Sequence, residues 1–206
     1  MNFSPHIPKS GLPVVIVIIL LVTLFTSCGL FETRNPESPE GITNFWTPPV
    51  DPADVLDNIN MAFSLHDASL YMKSFAKPDN ADSLFRFYPD MSTIGYDTTL
   101  FTQWGYYDED AFIRNLFSPD FLPSNAVAMI EFIAESEEPG ENTPVYRESY
   151  TITLQLTDLE LPQEYSGKAN IRFDRDYNSN WVIISWEDEA SGDNPSITQL
   201  KSIVSN

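Results

Sequence analysis

The chain has 206 residues, enough for one ordinary domain or two small ones. Its 11 Lys+Arg against 30 Asp+Glu give a net charge of −19, which excludes a broad nucleic-acid surface and disfavours electrostatic docking on anionic lipid. One Cys and two His exclude an internal disulfide, a cysteine-cluster zinc site and a His-rich metal centre, while 13% aromatic residues set the chain apart from disordered acidic sequences.

Residues 1–27 read as a secretory leader. Lys9 is its only charge, and an apolar run extends from Val14 to Phe25, broken only by Thr23. The run ends in Leu24-Phe25-Thr26-Ser27-Cys28, which resembles the lipobox of bacterial lipoproteins. The resemblance implies lipidation of Cys28, with a thioether-linked diacylglycerol as the membrane anchor. Phe25 departs from the usual aliphatic residue. Two or more acyl chains hold a protein stably on a membrane, at about 0.8 kcal/mol per buried CH₂. An uncleaved anchor is the alternative, because no charge occurs over the 22 residues from Ser10 to Phe31. Either way the remainder is expected outside the cytoplasm, in a bacterial cell envelope. By analogy with enteric sorting, Gly29 after the Cys points to an outer membrane if the host has one.

Residues 28–50 read as lipid anchor and tether. Pro36, Pro39, Pro48 and Pro49 favour extended polyproline II spacing. Trp46 is expected to pack back on the domain, which is placed at 51–206. Asp51 and Pro52 open a first helix, with Val55, Leu56, Ile59 and Phe63 at helical spacing. His66-Asp67 makes a corner, and Asp67 caps a second short helix through Phe75. Leu84 to Tyr88 reads as a short strand. Asp108, Glu109 and Asp110 load the first turn of a third helix, whose stripe is Phe112, Ile113, Leu116 and Phe117.

The period then changes to two. Ala126 to Glu135, Tyr146 to Leu156, Gly167 to Phe173 and Trp181 to Trp186 alternate as four antiparallel strands. Ser196 to Val204 forms a closing amphipathic helix. Segregated helices beside meandering strands predict an α+β fold, with helices packed on a curved antiparallel sheet. This order, with the helix pair 51–75, the helix from Asp108 and the meander ending in Trp181 to Asp188, resembles the nuclear transport factor two-like superfamily, the cystatin-like cone. With its lipobox and a Pro-rich spacer that carries Trp46-Thr47-Pro48-Pro49, the chain resembles small bacterial lipoproteins of that superfamily.

The resemblance implies a site at the mouth of the cone, where the superfamily's enzymes place a general base. His66 is expected at the surface. Glu131 and Glu148 share strand faces with apolar residues and are the carboxylates that could enter a pocket. Asp174, Asp176, Asn178 and Asn180 place oxygens at alternate positions, as in the start of a calcium loop. Ser179 and Ser185 stand where that loop needs Gly and Glu, so a hairpin turn is expected. Trp104, Tyr106, Tyr107, Tyr150 and Trp186 are candidate pocket aromatics or core.

No catalytic, cofactor-binding or metal residue is assigned, and no cofactor is expected. The functional expectation is a membrane-anchored extracytoplasmic lipoprotein with a noncatalytic binding or interaction domain. The alternatives are an isomerase- or cyclase-type enzyme on a small apolar ligand, or a dimeric envelope scaffold. The expected partners are the membrane through its lipid anchor, a small apolar ligand, and a homodimer or envelope protein; nucleic acid is not among them.

Overall fold

A computed structural model describes residues 46–92, 99–138 and 143–205. The leader, Cys28 and most of the tether lie outside the described residues. Within them no helix is long and apolar enough to cross a membrane.

Helix α1 spans Pro52–Leu65. Asp51 caps it through the Ala53 amide at 3.0 Å, and Asp54 accepts in return from the Asp51 amide at 2.9 Å. That reciprocal pair satisfies donors that the first turn leaves without partners. Its apolar stripe, Val55, Leu56, Ile59, Ala62 and Phe63, is buried. His66 ends the helix at φ 52, and Asp67 then caps α2, Ala68–Met72, through the Leu70 amide at 2.9 Å. Helix α3 is Tyr106–Leu116, two residues earlier than the acids suggest, because Asp108 caps from inside by accepting the Gly105 amide at 2.9 Å.

The sheet has five strands: β1 Arg86–Tyr88, β2 Ala128–Glu138, β3 Val145–Leu154, β4 Glu164–Arg175 and β5 Trp181–Ala190, in the order β1-β5-β4-β3-β2. The four long strands form the expected antiparallel meander. The short strand differs: β1 runs parallel to β5 at the sheet edge, which makes the sheet mixed. Bulges after Ala134 and Arg172 interrupt the ladders. Such bulges bend strands, and they supply the curvature of the sheet. At the second bulge Ile184 is the extra residue, so Ile183 and Trp186 share the buried face, opposite Phe173 and Ile171.

Alternation elsewhere puts Tyr150, Ile152 and Leu154 of β3, Tyr165, Ala169, Ile171 and Phe173 of β4, and Trp186 and Asp188 of β5 on one buried face. The helices cover that face, and α1 packs on β2 and β5. Helix α4, Ile197–Ser205, closes the layer against α3 and β4. The architecture is the α+β arrangement expected, helices on one face of a curved sheet.

The stretch before α1 is docked. Buried Asn58 donates to the Thr47 carbonyl at 2.8 Å and accepts from its amide at 3.2 Å. The Trp181 indole donates to the Val50 carbonyl at 3.0 Å, and Trp46 packs partly buried against the core.

Candidate functional site

The helix-covered interior holds two buried polar centres. In the first, Glu109 of α3 is 1% exposed and faces Lys201 of α4, also 1% exposed. The Lys201 ammonium donates to both Glu109 oxygens. Tyr71 Oη donates to Oε1 at 2.7 Å, and Trp104 Nε1 donates to Oε2 at 2.7 Å. Lys201 Nζ also lies 4.4 Å from the Phe87 ring centroid, 4.5 Å from Phe112 and 5.0 Å from Trp104. A buried charge needs both a counter-charge and hydrogen bonds, and here each is supplied by the chain itself. Burial pushes the Tyr71 phenol well above its ordinary value, and Glu109 pushes it further. Burial pulls Lys201 down, while Glu109 opposes the shift.

In the second centre Asp188 of β5 serves the N-terminus of α4. It accepts from Tyr150 Oη at 2.6 Å, from Thr198 Oγ1 at 2.6 Å and from the Thr198 amide at 3.2 Å. Tyr150 Oη in turn accepts from the Ile197 amide at 2.9 Å. An anion at a helix N-terminus is favoured both by the dipole and by otherwise unpaired amides. Tyr150 reaches this position across Gly167, where a Cβ would stand 2.8 Å from its Cζ.

Of the two carboxylates singled out in the sequence, Glu131 is exposed on the outer face. Glu148 points inward and is 3% exposed, in a row with Ala134, Ala169 and Asp188. Burial first, then repulsion from Glu137 and Glu135 of β2, raises its pKa to about 7. Its folded value is therefore above its ordinary one. The stability it contributes is full below about pH 4.5 and is lost as pH rises through about 7. Glu148→Gln should match the wild type in denaturant melts at pH 4.5. It should exceed it at pH 8 by about 1–2 kcal/mol, less than the full shift implies because solvent screens the exposed neighbouring acids. Equal pH slopes for both proteins would refute this assignment.

His66 differs from the surface position expected. It is half-buried, with its ring 5.7 Å from Phe117. The hairpin loop is a turn, as its spacing suggested. Asp176 Oδ1 accepts from the Asn178 and Asn180 amides at 2.9 and 2.8 Å, and its Oδ2 accepts from Asn80 at 2.9 Å. Asp174 accepts from Ser83 at 2.8 Å. Among the aromatics, Trp104, Tyr150 and Trp186 are core, and Tyr107 is 71% exposed.

Tyr106 has a different role. It lines a surface groove of about 270 Å³ with Trp46, Lys73, Asn178 and an apolar floor that includes Met72 and Val182. Three features that are separate in the sequence therefore meet: the end of the tether, the start of α3 and the β4–β5 turn. The Trp46 indole nitrogen is buried and has no hydrogen-bond partner among the described residues. Lys73 Nζ stands 5.1 Å from the centroid of its ring.

No protein-family model matches the chain, and no curated protein matches it in sequence. Solved structures do match. One is a nuclear transport factor 2-like superfamily protein from Salmonella enterica serovar Typhimurium, 12% identical over 68% of this chain and 88% of that one, with TM-score 0.48. Another is a Nostoc punctiforme protein of unknown function with a cystatin-like fold, 12% identical over 69% and 90%, with TM-score 0.44. A third is a nuclear transport factor 2-like protein from Anabaena variabilis, 13% identical over 75% and 97%, with TM-score 0.42. These carry the fold names of the superfamily that the sequence resembles, and the likeness is one of fold alone.

Proposed function

We propose that the chain is an envelope lipoprotein, anchored through Cys28, whose domain is a noncatalytic binding module. The observation that carries the binding reading is the groove that Trp46 lines over an apolar floor, together with a buried Trp46 indole N–H that has no acceptor among the described residues. Such a donor costs free energy until something accepts from it, and a ligand with an apolar body and one acceptor supplies that. The interior supports the noncatalytic half. Glu109, the most deeply buried of the interior carboxylates, already receives three side-chain donors from its own chain, and aromatic rings fill the space around it. A general base needs a free lone pair within reach of a substrate proton, and a filled interior denies it one.

Two measurements test the reading. Intact mass of membrane-extracted protein should equal residues 28–206 plus diacylglyceryl, with or without an added acyl chain. The full 206-residue mass would remove the lipid anchor. For the groove, acetophenone is titrated into the full-length protein in nanodiscs, and the indole ¹⁵N–H signals are followed. The Trp46 signal should shift saturably. Trp46→Phe, which keeps an aromatic ring and loses the donor, should weaken binding about tenfold, a loss of about 1.4 kcal/mol. Unchanged affinity in that variant would sink the groove assignment.

A further inference from the structure

The outer face of the sheet carries a second groove, of about 470 Å³, at the β1–β5–β4 end. Pairing puts Arg86 of β1 opposite Ser185 of β5, and Ser185 opposite Arg172 of β4. The three residues form one row on one face, with the serine between two arginines. At the usual strand spacing the flanking Cα atoms are about 10 Å apart.

The lack of carboxylate partners sets these arginines apart among the described residues. Most other exposed bases have carboxylate partners: Lys77 with Asp79 at 3.1 Å, Arg114 with Asp110 at 2.9 Å, Arg147 with Glu189 at 3.0 Å and Lys168 with Glu135 at 2.7 Å. In a chain with 30 acids that is the ordinary outcome. The Arg172 guanidinium has no ion pair or hydrogen bond among the described residues. Arg86 spends one nitrogen on the Gln103 carbonyl at 3.0 Å and has no carboxylate partner among the described residues. The remaining Arg86 nitrogens, the Arg172 guanidinium and the Ser185 hydroxyl between them are therefore donors lining one groove. That arrangement suits a tetrahedral oxyanion better than a planar carboxylate, which a single fork satisfies.

The groove also contains one acid. Glu187 follows Ser185 by two residues on the same strand and face, about 7 Å along, and Tyr88 stands opposite it on β1. A plain anion would be repelled there. A carboxylate beside an aromatic ring is a place for an ammonium group. We propose that this groove binds a small zwitterion that carries a phosphate-type oxyanion and an ammonium group. Arg86, Ser185 and Arg172 hold the oxyanion, and Glu187 and Tyr88 hold the cation.

The test titrates phosphoethanolamine, inorganic phosphate and ethanolamine separately into the full-length protein in nanodiscs. The readout is calorimetric, at low ionic strength because exposed pairs are screened by salt. Phosphoethanolamine should give saturable heat and bind at least about threefold tighter than phosphate. Arg172→Gln should weaken both by about tenfold or more at an unchanged melting temperature. Glu187→Gln should bring the two ligands to equal affinity. Absence of saturable heat for either phosphate ligand overturns the site. So does undiminished binding in Arg172→Gln. Equal affinities in the wild type overturn the zwitterion assignment.

Discussion

Replacing Lys201 by Met should destabilise the domain by about 3–5 kcal/mol, a fall of roughly 10 °C or more in Tm. The side chain is fully enclosed and its ammonium is the only cation on Glu109 among the described residues. Met fills much of the same volume, so the loss is electrostatic rather than a cavity. Glu109 would remain buried with Tyr71 and Trp104 still donating to it, but with its charge uncompensated. Glu109→Gln alone strands the ammonium and should cost a similar amount. The double variant, Lys201→Met with Glu109→Gln, removes both charges, and the Gln carbonyl keeps an acceptor for one of the two donors, Tyr71 and Trp104, which reach different Glu109 oxygens. It should still lie closer to the wild type than either single change, because one stranded neutral donor costs less than an unpaired buried charge, with a coupling above about 2 kcal/mol. Chemical denaturation of the four proteins at one pH decides the matter. Single changes worth under about 1 kcal/mol would mean that the pair contributes nothing net to the fold.

Both members of that pair sit on stripes that are readable in the sequence. Glu109 precedes Phe112, Ile113 and Leu116 at spacings of three, four and seven, and all four are buried. Lys201 shares its stripe with Ile197, Leu200 and Val204. Helical periodicity thus points each one inward. The acids at 108–110 look like first-turn charges favoured by the dipole, which fits Asp108, the cap, and misplaces Glu109. Periodicity names a face and not a partner. The two residues lie 92 positions apart, and only the docking of α4 on α3 joins them.

The strand faces were legible for the same reason, since a period of two survives wherever one face is covered. It fails at the Arg172 bulge, where Ile184 is an extra residue and Ile183 and Trp186 fall on one face instead of opposite faces. The parallel pairing of β1 could not be read, because a three-residue strand carries no period and its partner lies about a hundred residues on. The surface groove was legible only in pieces. Trp46, Tyr106 and the Asp176 turn each stood out, and their meeting depends on the tether docking through Asn58.

Gly167→Ala should cost about 2–4 kcal/mol and loosen the start of α4. Nothing about the backbone at Gly167 demands glycine by its φ; the requirement is space. A methyl group there would overlap Tyr150 Oη, stand 2.8 Å from Tyr150 Cζ and lie 2.9 Å from the Glu189 carbonyl oxygen. The carbonyl belongs to a paired strand and cannot yield, so the tyrosine must swing away. With it go the hydrogen bonds to Asp188 at 2.6 Å and from the Ile197 amide at 2.9 Å. Asp188 would keep Thr198 alone among these donors, and the first amide of α4 would lose its acceptor. Hydrogen exchange at Ile197 and Thr198 should therefore rise more than exchange in α1, which packs elsewhere. The background variant Tyr150→Ala separates the causes. There the added methyl meets only the Glu189 carbonyl, and its cost should fall by at least half. An undiminished cost in that background would place the effect in the β4–β5 ladder and remove the role given to Tyr150 in holding α4.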